Sequence, residues 1–93
     1  MTNFNFNEFE IIEILIKTKE HGKVDTLLEK LRIYSVNDQI SSKEFTASLT
    51  NHGAITDMEA RKVCQYLEVS GKVKVSKFSE LFDKAMQQSS IKS

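Results

Sequence analysis

Apolar residues recur at helical spacing in five segments of this chain, and short polar segments separate them. In the first segment Phe9, Ile12 and Ile16 fall on one face, which predicts a helix over residues 7–19. The second segment predicts a helix over residues 24–34, with apolar residues at i, i+3, i+4 and i+7: Val24, Leu27, Leu28 and Leu31. This spacing leaves one apolar face on each helix to be buried.

Helix starts are indicated by Ser, Thr or Asn followed three residues later by Glu, because the two side chains can satisfy the free amide groups of the first turn. The pattern occurs at Asn7, Ser41 and Thr56. It predicts the starts of helices one, three and four. We expect helix three to end near Gly53 and helix four to run over 57–67, followed by a fifth helix over about 76–88 and a frayed tail over 89–93.

Between the fourth and fifth helices the pattern changes. Residues 69–75 alternate apolar and polar side chains. Alternation is typical of a strand with one buried face, so we expect one short strand here, or two strands around Ser70-Gly71. Ile40 stands alone in an otherwise polar loop between the second and third helices.

Composition narrows the possible functions. The chain has 93 residues, 40% of them hydrophobic, and thirteen basic and thirteen acidic side chains that cancel. We therefore expect one domain with one core, residues 1–93, and a protein partner rather than nucleic acid or an anionic membrane. The absence of an apolar run near 20 residues, of a signal-like N-terminus and of a second cysteine beside Cys64 predicts a cytoplasmic protein without disulfides.

The reactive side chains do not form a pattern that predicts chemistry. His21 and His52 lack the spacing of metal ligands, and Cys64 falls on the apolar face of helix four with no base near it in sequence. A phosphate-binding glycine loop is also missing. We therefore expect no enzymatic activity, no cofactor and no metal.

Two segments of the chain resemble each other and the second half of an EF-hand, a helix–loop–helix unit. In Ile40-Ser-Ser-Lys-Glu-Phe45 and in Val73-Lys-Val-Ser-Lys-Phe78, a β-branched residue precedes a helix start and a Phe follows. The stretch between them, from Glu44 to Glu59, resembles the linker of calmodulin and myosin light chains. The resemblance covers residues 24–86, which is one lobe.

The resemblance implies an all-α fold: a degenerate EF-hand pair with an extra N-terminal helix and a very short β pairing between the loops. Ile40 and Val73 would form that pairing. The implied division is an N-terminal arm and helix over 1–23, a first hand over 24–52, a second hand over 56–88 and the tail.

The same resemblance implies that neither loop binds calcium, which needs several oxygen ligands. With Ile40 at loop position 8, Glu44 falls correctly at position 12, but position 1 is Ile33 and position 6 is Asp38 rather than glycine. With Val73 at position 8, position 12 is Lys77, whose ammonium repels the ion; Gly71 falls correctly at position 6, and Tyr66 occupies position 1. Helix spacing further suggests that the first loop is longer than usual and the second shorter.

The function implied is a calcium-independent light-chain-like adaptor in the cytoplasm, associated with the cytoskeleton. Its partner would be a basic, amphipathic, IQ-type helix of a larger protein such as an unconventional myosin heavy chain. The side chains expected to line the groove for that helix are Phe45, Leu49, Met58, Phe78, Phe82 and Met86.

Two alternatives stay open. The chain could be an EF-hand calcium sensor if one loop still binds the ion. It could instead be a winged-helix nucleic-acid-binding domain, with residues 67–75 as the wing hairpin; the low positive charge of helix three argues against this alternative.

Overall fold

The computed structural model describes residues 8–92, with side chains up to residue 88. The described part of the chain is mostly helical and contains a small antiparallel sheet. The helices are α1 (Glu8–His21), α2 (Val24–Tyr34), α3 (Ser42–His52), α4 (Asp57–Leu67) and α5 (Val75–Lys92), and the strands are β1 (Gln39–Ser41) and β2 (Lys72–Lys74).

After α1 the fold repeats itself with an offset of 33 residues. The offset relates the first residues of α2 and α4, Val24 and Asp57, and the central residues of the two strands, Ile40 and Val73. The described chain therefore contains two helix–loop–helix units, α2-β1-α3 and α4-β2-α5, of the same construction.

The predicted pairing of Ile40 with Val73 is confirmed, and both side chains are buried. On either side of it the backbones of the two loops exchange equivalent hydrogen bonds. The amide of Val75 donates to the carbonyl of Asp38 (2.8 Å), and the amide of Ser42 donates to the carbonyl of Gly71 (3.0 Å). Each loop thus satisfies an amide group at the start of the other unit's second helix, which would otherwise lack an acceptor.

Each loop reverses direction through a tight turn. Val36 and Gln39 exchange backbone hydrogen bonds across Asn37 and Asp38, and both turn residues have positive φ. Ser70 and Gly71 have the same backbone character in the second loop. Short polar residues and glycine tolerate this left-handed region better than other side chains do.

The core lies beneath the sheet and between the helices. Phe45 and Phe78, at equivalent positions of the repeat, are fully buried, with their rings edge to face at 5.3 Å between centroids. Phe82 stacks on Phe78 at 5.9 Å. These aromatic side chains join the two units through one apolar interior.

Most of the predicted helix bounds agree with the structure, and three details differ. The helix after β2 runs to Lys92, because no proline or glycine interrupts residues 75–92. The loops 35–41 and 68–74 have equal length, so the expected difference between them is wrong. Residues 67–75 do not form a two-stranded wing: the only strand there pairs with β1, and Val75 already begins α5.

Of the three predicted capping boxes, one is complete, one is half formed and one lies outside the described residues. Thr56 and Glu59 form the full reciprocal box at the start of α4. At α3 the Ser41 hydroxyl accepts from the amide of Glu44 (3.2 Å), which satisfies one donor. The predicted cap at Asn7 lies outside the described residues.

Candidate helix-binding site

The two units differ in how their helices pack, although their backbones repeat. In the first unit α2 packs directly against α3. In the second unit α4 and α5 make few direct contacts with each other, and α1 packs against both of them. The second unit therefore holds an amphipathic helix that comes from outside the repeat.

Most of the apolar face of α1 is covered; of the residues that the sequence placed on it, Ile12 is buried, Ile16 is partly buried and Phe9 is exposed. Ile11 and Leu15 have no exposed surface, and Ile12, Ile14 and Thr18 are buried beside them. Burying an aliphatic side chain of this size contributes about 1.5–3 kcal/mol, so this face supplies most of the attraction that holds α1 in place.

Ion pairs surround the buried face. The Lys62 ammonium donates to the Glu10 carboxylate (2.7 Å), and the Lys17 ammonium donates to Glu59 (2.8 Å). The Glu8 carboxylate accepts from Lys84, and the Tyr66 hydroxyl donates to Glu8 (3.1 Å). These contacts connect α1 to α4 at several points and to α5 at Lys84, and they fix the direction in which α1 lies.

These contacts shift the pKa of three side chains. The Lys84 hydrogen bond, with a smaller contribution from Tyr66, lowers the pKa of Glu8. The Lys17 hydrogen bond, followed by the backbone amide of Thr56, lowers the pKa of Glu59. Burial, followed by the hydrogen bond to Glu8, raises the pKa of Tyr66. Each carboxylate is therefore held in its charged form by its partners on the neighbouring elements.

The six predicted groove residues are not together on the surface. Four of them are buried in the core: Phe45, Leu49, Phe78 and Phe82. Met86 is partly buried on α5, where it lines a shallow depression with Phe82, and Met58 is exposed at the start of α4. A partner helix can reach this set only if the core opens or α1 leaves its position.

The residues that the resemblance places in the two calcium loops have other contacts and surroundings in this structure. The carboxylate of Asp38 accepts from the amide (3.0 Å) and the hydroxyl (2.6 Å) of Ser76, which caps the start of α5. Ile33 is exposed, and Lys77 projects into solvent. Among residues 8–88, His, Cys, Asp and Glu form no cluster of three or more that could hold a metal ion.

The remaining reactive side chains have structural positions. Cys64 is buried with its Sγ 3.8 Å from the carbonyl of Ser42. His52 contributes its backbone carbonyl, which accepts from the amide of Lys23 (2.7 Å). In the described part of the chain no helix is both long and apolar enough to cross a membrane.

Sequence reasoning missed the α1 interface. The apolar face of α1 was visible in the sequence, but helical periodicity does not say which surface covers it. The acidic Glu8 and Glu10 and the basic Lys62 and Lys84 are the signal that could have suggested the packing of α1 on α4 and α5.

Comparisons of this chain with protein-family models, curated proteins and solved structures give no match. The resemblance to EF-hand proteins accordingly depends on the sequence segments quoted above.

Proposed function

We propose that this chain is a degenerate EF-hand pair that acts as a calcium-independent, light-chain-like adaptor and binds an amphipathic helix of a larger protein. The observation that carries the proposal is the position of α1: a helix outside the repeat occupies the face of α4 and α5. This supports helix binding because the face already accepts a helix with a continuous apolar stripe.

Independence from calcium is the second part of the proposal. It is supported by the loops, whose ends are joined by hydrogen bonds within the chain, including those from Ser76 to Asp38. A loop that is closed by protein groups needs no ion to reach its folded geometry.

The target helix would take the place of α1 and contact Phe78, Phe82 and Met86 on α5. An IQ-type helix of an unconventional myosin is the first target to test. A basic side chain of the target would take the place of Lys17 beside the Glu59 carboxylate, whereas Lys62 and Lys84 would need acidic side chains on the target. The exchange of α1 for the target sets the affinity, because the free protein must first release α1.

The experiment is titration calorimetry of the whole chain with a basic IQ-type peptide, once with a chelator and once with excess calcium. We expect the same dissociation constant in both. Binding that requires calcium contradicts the proposal, and so does the absence of binding under both conditions.

Two variants test the exchange. Leu15→Ala weakens the packing of α1 on α4 and α5. It should therefore tighten peptide binding several-fold, because α1 competes less well with the peptide. Lys17→Met, which removes only the ion pair to Glu59, should act in the same direction with a smaller effect. The control is Phe9→Ala, on the exposed side of the same helix (61% exposed), and it should leave the affinity unchanged.

A further inference from the structure

A second surface lies at the loop end of the second unit, and it meets the α1 interface at Tyr66, whose hydroxyl donates to Glu8 of α1. Here the end of α4, the turn after it and β2 surround a depression whose apolar side is formed by Tyr66, Leu67 and Val69. Val69 is 74% exposed, and its counterpart in the first loop, Val36, is exposed to a similar extent (70%). The depression thus presents apolar side chains that are open to solvent.

Three lysines form the rim of this depression: Lys72, Lys74 and Lys77. Lys72 and Lys74 lie on the outer face of β2, because the side chain between them, Val73, points into the core. Their neighbours across the sheet are Ser41 and Gln39, which carry no charge. All three lysines are exposed.

Arg61, Lys17, Lys62 and Lys84 each form an ion pair with a carboxylate. In the described part of the chain other cations, such as Lys19 and Lys23, form none, and the rim lysines are distinguished from these by being three around one depression. Within residues 8–88 the three rim lysines form no ion pair. A cluster of like charges without counter-charges is electrostatically unfavourable in the free chain and is relieved by an anionic partner.

The internal repeat gives a comparison within the same molecule. An offset of 33 residues places Gln39, Ser41 and Glu44 at the positions equivalent to the rim lysines. The first loop therefore has a net negative charge where the second has three positive charges. Because the two loops have the same backbone construction, turn geometry does not account for the lysines.

We propose that this depression, which we call the basic rim site, docks an acidic amphipathic segment of a partner protein. Apolar side chains of the segment pack on Tyr66, Leu67 and Val69, and its carboxylates pair with the rim lysines. A protein segment fits better than nucleic acid or a membrane, since a neutral chain with three clustered charges has little long-range attraction for a polyanion. The site differs from the α1 interface in its loop and strand residues, shares Tyr66 with it, and gives the chain a second protein contact.

Fluorescence anisotropy of the whole chain tests the site. The probe is a fluorescein-labelled peptide in which Glu residues flank a Leu-Phe-Leu core, and its counterpart has Gln in place of Glu. We expect the Glu peptide to bind and the Gln peptide to bind at least about tenfold more weakly, because charged contacts set the specificity. Equal binding of the two peptides would overturn the proposal.

Matched double variants locate the contact. Lys72→Glu/Lys77→Glu should weaken binding of the Glu peptide about tenfold or more, whereas Lys19→Glu/Lys23→Glu, with the same change in net charge, should change it less than about twofold. Val69→Ser tests the apolar part and should also weaken binding. Equal losses in both double variants, or stronger binding to duplex DNA or to phosphatidylserine vesicles than to the Glu peptide, would overturn the proposal. The basic IQ-type peptide of the first experiment reports on α1, and Lys72→Glu/Lys77→Glu, whose residues make no ion pair with α1, should leave its affinity unchanged, which keeps the two proposals distinguishable.

Discussion

At the scale of single residues, Asp38 connects the two units of the repeat. It stands in the tight turn of the first loop with φ of 68°, and its carboxylate accepts both the amide and the hydroxyl of Ser76 at the start of α5. Its own carbonyl accepts from Val75. A negatively charged group at a helix N-terminus also interacts favourably with the helix dipole. One acidic side chain therefore orients α5 against the opposite loop.

Replacing Asp38 with glycine should lower the free energy of unfolding by about 1 kcal/mol, the typical value of a helix cap. Glycine tolerates the positive φ, so the loss reports the missing carboxylate and not backbone strain. The control is Asn37→Gly, at the neighbouring turn position with φ of 55°, which should be close to neutral. Urea unfolding followed by circular dichroism measures both. Equal losses in the two variants would mean that the carboxylate contributes nothing.

At the scale of elements, the ion pairs of α1 make its docking depend on pH. Lys84 lowers the pKa of Glu8 and Lys17 lowers the pKa of Glu59 in the folded chain. A carboxylate with a lowered folded pKa stabilises the fold above its unfolded pKa, near ~4.3, and this stabilisation is lost as the pH falls through the folded pKa. Acid should therefore loosen the contacts of α1 with α4 and α5.

The variant Glu59→Gln tests this dependence. Glutamine keeps the hydrogen bond to the amide of Thr56 but has no charge for Lys17. Its free energy of unfolding should fall less steeply than that of the wild type between about pH 5 and pH 3. The control Glu29→Gln removes an exposed carboxylate of α2 and should keep the wild-type slope. The same slope in all three proteins would show that the Glu59 pair does not contribute.

The helices were predictable because their signals are local. Thr56 with Glu59 marks the start of α4, and the spacing of Val24, Leu27 and Leu31 outlines α2. The pairing of Ile40 with Val73 could be predicted because the two segments resemble each other. The surface on which α1 packs could not be predicted from the sequence. Any apolar surface can cover an apolar helix face, and the choice among surfaces depends on the tertiary structure.

The predicted groove shows the same limit. The resemblance places Phe45 at a lobe position that faces the target, and Phe78 belongs to the apolar stripe of the fifth helix; both side chains are buried where the units meet. A sequence pattern identifies an apolar position but does not distinguish a core contact from a partner contact. The proposed binding requires movement of α1 because α1 packs on α4 and α5, the helices that the target would contact.

At the scale of the whole molecule, two units of the same construction have different partners. The first unit is filled by its own helices, whereas the second holds α1 and carries the basic rim site on its loop end. Both loops are closed by hydrogen bonds within the chain, and the proposed function requires that the chain fold without an ion. Stability measured with and without calcium tests this consequence directly.

We expect the melting temperature of the whole chain to be the same in chelator and in millimolar-order calcium. An ion that binds only the folded state at 100 times its dissociation constant adds about 2.7 kcal/mol, which shifts the melting temperature of a chain of this size by several degrees. Such a shift would mean that a loop still coordinates calcium and that the chain is a sensor. The same measurement on Glu44→Gln, at position 12 of the first loop, would then show whether the first loop is responsible, because the shift should disappear in that variant.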